Sequence, residues 1–207
     1  MKKSGWIQIA LVLVGLVIFG GILIYVKSSD KQNNLKGEVV ESVGSEGKVV
    51  IEEYSDFQCP ACAMAAPIVS DLKKKYEDKL EVRFIDFPLT YHALAAKASE
   101  AAAAASDQGK FWEYHDILFG KQSEWTQSGN EKEAVRYFKQ YAESLDLDME
   151  KFNKSLDSGE KKDYVEQNRQ RGMDMRVSAT PTFYLNGKKL QGYKTWDELI
   201  GKIEAEL

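Results

Sequence analysis

The chain has 207 residues, 43% apolar and 29% charged, and 28 Lys and Arg against 32 Asp and Glu give a net charge of −4. That balance suits a globular domain and excludes a nucleic-acid binder built on a basic stripe, because the lysine run Lys73, Lys74 and Lys75 sits at helical spacing as a solvated face. With only two cysteines the fold is not a disulfide scaffold, and the cysteine count leaves the redox compartment open.

Lys2 and Lys3 precede an uncharged stretch, Trp6 to Val26, whose one strongly polar side chain is Gln8. At roughly 1.5 Å per residue a helix of that length spans about 30 Å, the thickness of a bilayer's hydrocarbon core. A cleaved signal peptide has a shorter apolar region and a small-x-small site, whereas this run ends Ile24-Tyr25-Val26-Lys27. Trp6 and Tyr25 stand where interfacial aromatics belong. Residues 1–27 are therefore expected to be a retained membrane anchor rather than a cleaved signal, and the lack of Cys there argues against a lipid anchor. Lys2 and Lys3 favour a cytoplasmic N-terminus and a body outside, although Lys27, Lys31 and Lys36 lie on the far side. Residues 28–46 read as a polar linker, with Val39-Val40 as a short first strand, and residues 47–207 as one domain.

Within that domain, Lys48 to Tyr54 reads as a central strand, apolar on both faces at first. A helix follows from Cys59 to about Tyr76; Pro60 fits its first turn and Pro67 is expected to kink it. Leu80 to Phe87 is a second strand. His92 to about Lys121 and Glu131 to about Met173 read as helical, with loops near Gly109, Ser128-Gly129 and Ser158-Gly159. The alanines at 101–105 suit a closely packed helix, and Phe111, Trp112, Tyr114 and Phe119 suit helical core. Thr182–Leu185 and Lys188–Gln191 flank Asn186-Gly187, the strongest short hairpin signal, before a last helix from Thr195 to Leu207. The order of elements gives an α/β fold.

Cys59-Pro60-Ala61-Cys62 puts the only two thiols one helical turn apart where a strand gives way to a helix. Such a pair closes a small disulfide, and a helix N-terminus holds Cys59 as thiolate, with Cys62 as the less exposed, resolving sulfur. Half of a metal site and inert thiols are the alternatives. His92 and His115, the only histidines, complete a nominal Cys2His2 set. Their irregular spacing and Pro60 between the thiols argue against zinc, and Ala63 after Cys62 excludes covalent haem attachment. No metal or cofactor beyond the Cys59–Cys62 disulfide is expected. No Lys or Arg lies between Tyr54 and Lys73, so helix amides must stabilise the thiolate, with Gln58 as a further donor. Asp56 reads as a turn or cap residue that would oppose the thiolate if it pointed inward.

Four segments in order, Lys48–Cys62, Phe87–His92, Asp107–Asp116 and Ala179–Gly187, resemble the DsbA-like thiol:disulfide oxidoreductases, a bacterial branch of the thioredoxin fold. The likeness covers most of Gly44 to Leu207, and the single N-terminal anchor is similar to that of membrane-tethered members. It implies a thioredoxin-like domain with a helical insert at about 90–173. It implies a cis Pro181 facing the cysteines, with backbone groups of Thr180 presented to an extended substrate and its hydroxyl near Cys59. It also implies that Glu53, six residues before Cys59, is buried beneath the helix and carries protons for Cys62. An exposed Glu53, or Glu52 in its role, is the alternative. The activity implied is that of a monomeric, extracytoplasmic dithiol oxidase acting on reduced exported proteins and recharged by a quinone-linked membrane partner. A reductase or isomerase on the same fold, or a tethered binding or chaperone-like module with an inert CxxC, are the competing readings.

Overall fold

The computed structural model describes residues 47–207, so the expected anchor (1–27), linker (28–46) and Val39-Val40 strand lie outside the described residues. Among the described residues no helix is long and apolar enough to cross a membrane.

Strand β1 (Val49–Ser55) is buried from its second residue to its last, as a strand covered on both faces must be. It pairs in parallel with β2 (Leu80–Asp86), Val49 opposite Leu80 through Ser55 opposite Asp86. Parallel neighbours need a crossover, and α1 (Pro60–Lys75) supplies it, running unbroken past Pro67. On the other side β1 pairs antiparallel with β3 (Thr182–Leu185), which pairs with the two-residue β4 (Lys188–Lys189), for a sheet order β2-β1-β3-β4. Asn186 and Gly187 take φ of 47° and 74° in the hairpin turn, the doubly positive pattern that matches strand twist. Asn186 also ties the turn to β1: its side chain accepts from the Val50 N–H at 2.9 Å and its own N–H donates to the Val50 carbonyl at 2.8 Å. The last helix, α8 (Trp196–Glu204), begins at Thr195, whose hydroxyl accepts from the Glu198 N–H.

Six helices fill the space between β2 and β3: α2 (Ala95–Ser106), α3 (Phe111–Gly120), α4 (Gln122–Thr126), α5 (Glu131–Ser144), α6 (Met149–Ser158) and α7 (Lys162–Asp174). The expected single helical run from 131 to 158 is broken: Asp146 turns the chain at φ 54°, and Asp148 caps α6 by accepting from the Glu150 and Lys151 N–H groups. Short aspartates supply this break where no glycine or proline announces it. The consecutive alanines 101–105 of α2 are all buried, which lets α3, α5, α6 and α7 close around it. Of the four expected core aromatics, Tyr114 and Phe119 are buried, while Phe111 and Trp112 are half-buried. One core cluster joins the insert to the start of α1, including Phe57, Cys59 and Cys62; a second, around Ile51, Phe183 and Leu199, lies between the sheet, α1 and α8.

Helix α7 lies directly on the end of the sheet. A Cβ on Gly172 would come 2.6 Å from Phe87 Cε2 and 3.1 Å from Tyr54 Cδ1. Gly172→Ala gains about 1 kcal/mol in helix propensity, but overpacking against these rings costs about 1–3 kcal/mol. The variant is therefore expected to unfold at lower urea concentration than the parent. An unchanged or higher midpoint would show that Phe87 moves aside at no cost.

Candidate active site

The chain leaves β1 into a turn that Asp56 organises. Its carbonyl accepts from the Cys59 N–H at 3.0 Å and its Oδ1 accepts from the Gln58 N–H at 2.7 Å. The carboxylate is fully buried, and Oδ2 accepts from the Leu89 N–H and meets His92 Nδ1, both at 2.8 Å. Asp56 is thus a turn residue pinned to the loop after β2. Gln122, at the start of α4, donates from Nε2 to the Phe57 carbonyl at 2.8 Å and the Cys59 carbonyl at 3.0 Å. Gln58, expected to donate to the sulfur, instead accepts from the Leu94 N–H at 2.8 Å, so its amide serves the loop. The anchoring by His92 and Gln122 escaped the sequence analysis; Gln122 is 63 residues from Cys59 and no local pattern marks it.

Cys59 is the N-cap of α1, with φ −76° and ψ 123°, and its carbonyl accepts from the Ala63 N–H at 3.1 Å. Pro60 follows in the first turn, where its missing N–H costs nothing. Both cysteines are unbridged here; Cys59 is 8% exposed and Cys62 fully buried. Cys59 Sγ donates to the Thr180 carbonyl at 3.5 Å, and the Thr180–Pro181 bond is cis. The Asp56 N–H points at Cys62 Sγ, also at 3.5 Å.

Hydrogen bonding from the Cys62 thiol, opposed by burial and aided by Thr180 and the N–H groups of Cys62 and Ala61, lowers Cys59 to about 5. The sulfur of Cys62 is therefore a larger influence than the helix amides on which the sequence reading relied. The Thr180 hydroxyl is buried and meets no hydrogen-bond partner in this dithiol form. Burial, and engagement of its proton by Cys59, push Cys62 far above an ordinary thiol, against the pull of Ser55 and the Asp56 amide.

Glu53 lies on β1 opposite Phe84 and Phe183, 1% exposed. Its Oε1 accepts from the Ser55 hydroxyl at 2.8 Å and its Oε2 has no partner. Burial raises it to about 7 against the opposing Ser55 bond. An exposed Glu53 is thereby excluded. Glu52, one residue earlier, is buried but paired with Arg171 of α7. Asp86 at the end of β2, like Glu53 a buried acid shifted upward, escaped the sequence analysis; burial raises it to about 6, with Asn168 donating at 3.2 Å. The two histidines stand apart from the sulfurs, His92 on Asp56 and His115 on Asp116. Among the described residues no group of three or more His, Cys, Asp or Glu converges on a metal site.

Residues 42–205 match the family described as Thioredoxin. Disulfide bond formation protein D of Bacillus subtilis is 28% identical over 187 residues, which is 85% of this chain and 80% of that protein. The Na(+)/H(+) antiporter NhaA 3 of Salinispora tropica is 38% identical over 150 residues, 71% of this chain but only 21% of the antiporter. The chain thus spans about a fifth of the length of the antiporters it matches. Among solved structures, oxidised BdbD from Bacillus subtilis is similar with a TM-score of 0.64 at 25% identity, covering 79% of this chain and 90% of that one.

The two sulfurs should separate in a titration. Iodoacetamide alkylation of the reduced protein is expected to be half-maximal near pH 5 at Cys59, with Cys62 untouched through neutral pH. An ordinary thiol's midpoint for Cys59 would refute the asymmetry. Stability follows the same sign. The folded Cys59 binds fewer protons than the unfolded thiol between about 5 and 9, so stability of the reduced form rises with pH across that window. Glu53, raised from 4.5 to about 7, binds more protons when folded and works in the opposite direction from pH 4.5 to 7. The disulfide form lacks the thiol contribution. Its urea midpoint should therefore fall relative to that of the reduced form as pH rises from 5 to 9, and a constant difference would remove the linkage.

Proposed function

The chain belongs to the thioredoxin family, and from that premise we propose that it is a protein disulfide oxidoreductase acting as a disulfide donor, a dithiol oxidase. The observation that carries this reading is the split between the sulfurs, Cys59 lowered to about 5 and Cys62 pushed far up. A stabilised Cys59 thiolate is a good leaving group, so the reduced enzyme is favoured and its disulfide is readily attacked. A substrate thiolate attacks Cys59 Sγ, forming a mixed disulfide and expelling the Cys62 sulfur. Cys62 takes a proton from Glu53, the buried acid on the same side of the sheet. The substrate's second thiolate then attacks its own bridged sulfur and releases the Cys59 thiolate, so two electrons pass from the substrate dithiol to the enzyme. Thr180 lies against the attacked sulfur, and its backbone, held at Pro181, aligns an extended substrate segment.

In this reading Trp6 to Val26 is a signal anchor and residues 28–46 a tether. Residues 47–207 are the catalytic domain on the outer face of the membrane, acting as a monomer on reduced exported proteins. A quinone-linked membrane oxidase removes the electrons. The disulfide-formation name of the Bacillus subtilis relative supports the oxidative direction; the antiporter likeness covers too little of those proteins to bring transport with it.

Equilibration with glutathione buffers decides the direction. The potential is expected near −120 mV, as for a strong oxidant, and a value near −270 mV, as in thioredoxin, would turn the enzyme into a reductase. Cys59→Ser should abolish oxidation of a dithiol peptide; unchanged oxidation would favour the binding-module reading.

A further inference from the structure

Cys62 changes its protonation state in every turnover of the proposed cycle, yet it has no exposed surface. Glu53 is the candidate to balance that proton, and it too is buried. Between them stands Ser55. Its hydroxyl is fully buried, donates to Glu53 Oε1 at 2.8 Å, and favours the thiolate of Cys62. The next N–H in the chain, that of Asp56, meets Cys62 Sγ at 3.5 Å and holds β1's end at that sulfur. A hydroxyl donates one proton while accepting another, which suits it to join two buried groups.

We propose that Ser55 is the proton relay between Cys62 and Glu53, an inference that deepens the function proposed above and rests on it. When substrate attack expels Cys62 as a thiolate, the sulfur takes the Ser55 hydroxyl proton and Ser55 takes the carboxyl proton of Glu53. The step ends with a Cys62 thiol, an intact Ser55 hydroxyl and a Glu53 carboxylate. In the reverse step Cys62 passes its proton through Ser55 to the Glu53 carboxylate. Its sulfur then forms the bond to Cys59 and the partner sulfur leaves with the electron pair.

The test follows that reverse step, which occurs whichever way the enzyme runs in the cell. Reduced full-length protein is mixed with excess oxidised glutathione and quenched in acid. Mass spectrometry then counts the mixed disulfide at Cys59, whose decay is the attack by Cys62. Loss of general acid–base assistance is worth about 10²-fold or more. Ser55→Ala is accordingly expected to slow the decay by about 10²-fold while Cys59 alkylation keeps its pH profile. For the parent protein in H2O/D2O mixtures, two protons in flight should give a bowed dependence of rate on deuterium fraction. Parent-like decay in Ser55→Ala overturns the relay, and so does a linear dependence in the parent protein. Should the variant fail to fold, the parent's dependence decides alone. A thioredoxin-like potential with a bowed dependence would sink the donor reading and leave the relay standing; an oxidising potential with a linear one would do the opposite.

Discussion

The chemistry of this protein hangs on the unequal placing of two neighbouring sulfurs, so that the proton kept by Cys62 lowers Cys59. Both sulfurs sit at the head of α1, but the cap position leaves Cys59 at the surface edge and puts Cys62 a turn inside, where charge is disfavoured. Burial thus decides which sulfur keeps the proton, and the kept proton is then offered to the other. All the groups that lower Cys59 are dipoles: a thiol, a threonine and two main-chain N–H groups. No cation takes part, which accounts for a low thiol in a stretch without Lys or Arg. The stabilisation is internal and short-ranged, so it depends on the loop being held in place.

That holding is the contribution of the helical insert. A strand–helix–strand unit alone would leave residues 56–59 as a free connection. Here the Asp56 carboxylate ties the turn to the Leu89 N–H and His92, Gln58 ties it to Leu94, and Gln122 fastens the carbonyls of Phe57 and Cys59. Each contact satisfies a buried polar group that would otherwise cost about 1–3 kcal/mol. The core cluster that includes both cysteines draws most of its remaining members from the insert, so packing and polar anchoring converge on the same few residues.

What could be read from the sequence follows the range of the interactions involved. The strands and the hairpin were legible because alternation and Asn186-Gly187 are local signals, and β3 falls on its expected bounds, Thr182–Leu185. The thiol pair was legible because spacing and the strand-to-helix junction are local too. The break at Asp146 was missed because a non-glycine residue adopts positive φ there. The relative weight of sulfur and amide at Cys59 was misjudged because the geometry of two side chains cannot be read from their spacing. Gln122 was invisible for a different reason: it serves a loop in another part of the chain, and a glutamine at a helix start has no pattern that names its acceptor.

The clearest contrast lies between neighbouring acids on one strand. Glu52 and Glu53 point to opposite faces of β1. Glu52 meets Arg171 of α7, a pairing that offsets the cost of its burial. Glu53 faces α1 and receives only the Ser55 hydroxyl, with one oxygen unmatched. A carboxyl so placed contributes nothing to packing that an apolar side chain of similar size would not provide, and its ionised form is penalised. A residue that served only the fold at this position would be leucine or methionine. Raised to about 7, Glu53 sits where a small free-energy change moves its proton either way. In the proposed cycle that is the property Cys62 requires of its partner, because a sulfur so reluctant to ionise is expelled only with a proton donor at hand and attacks only with a proton acceptor.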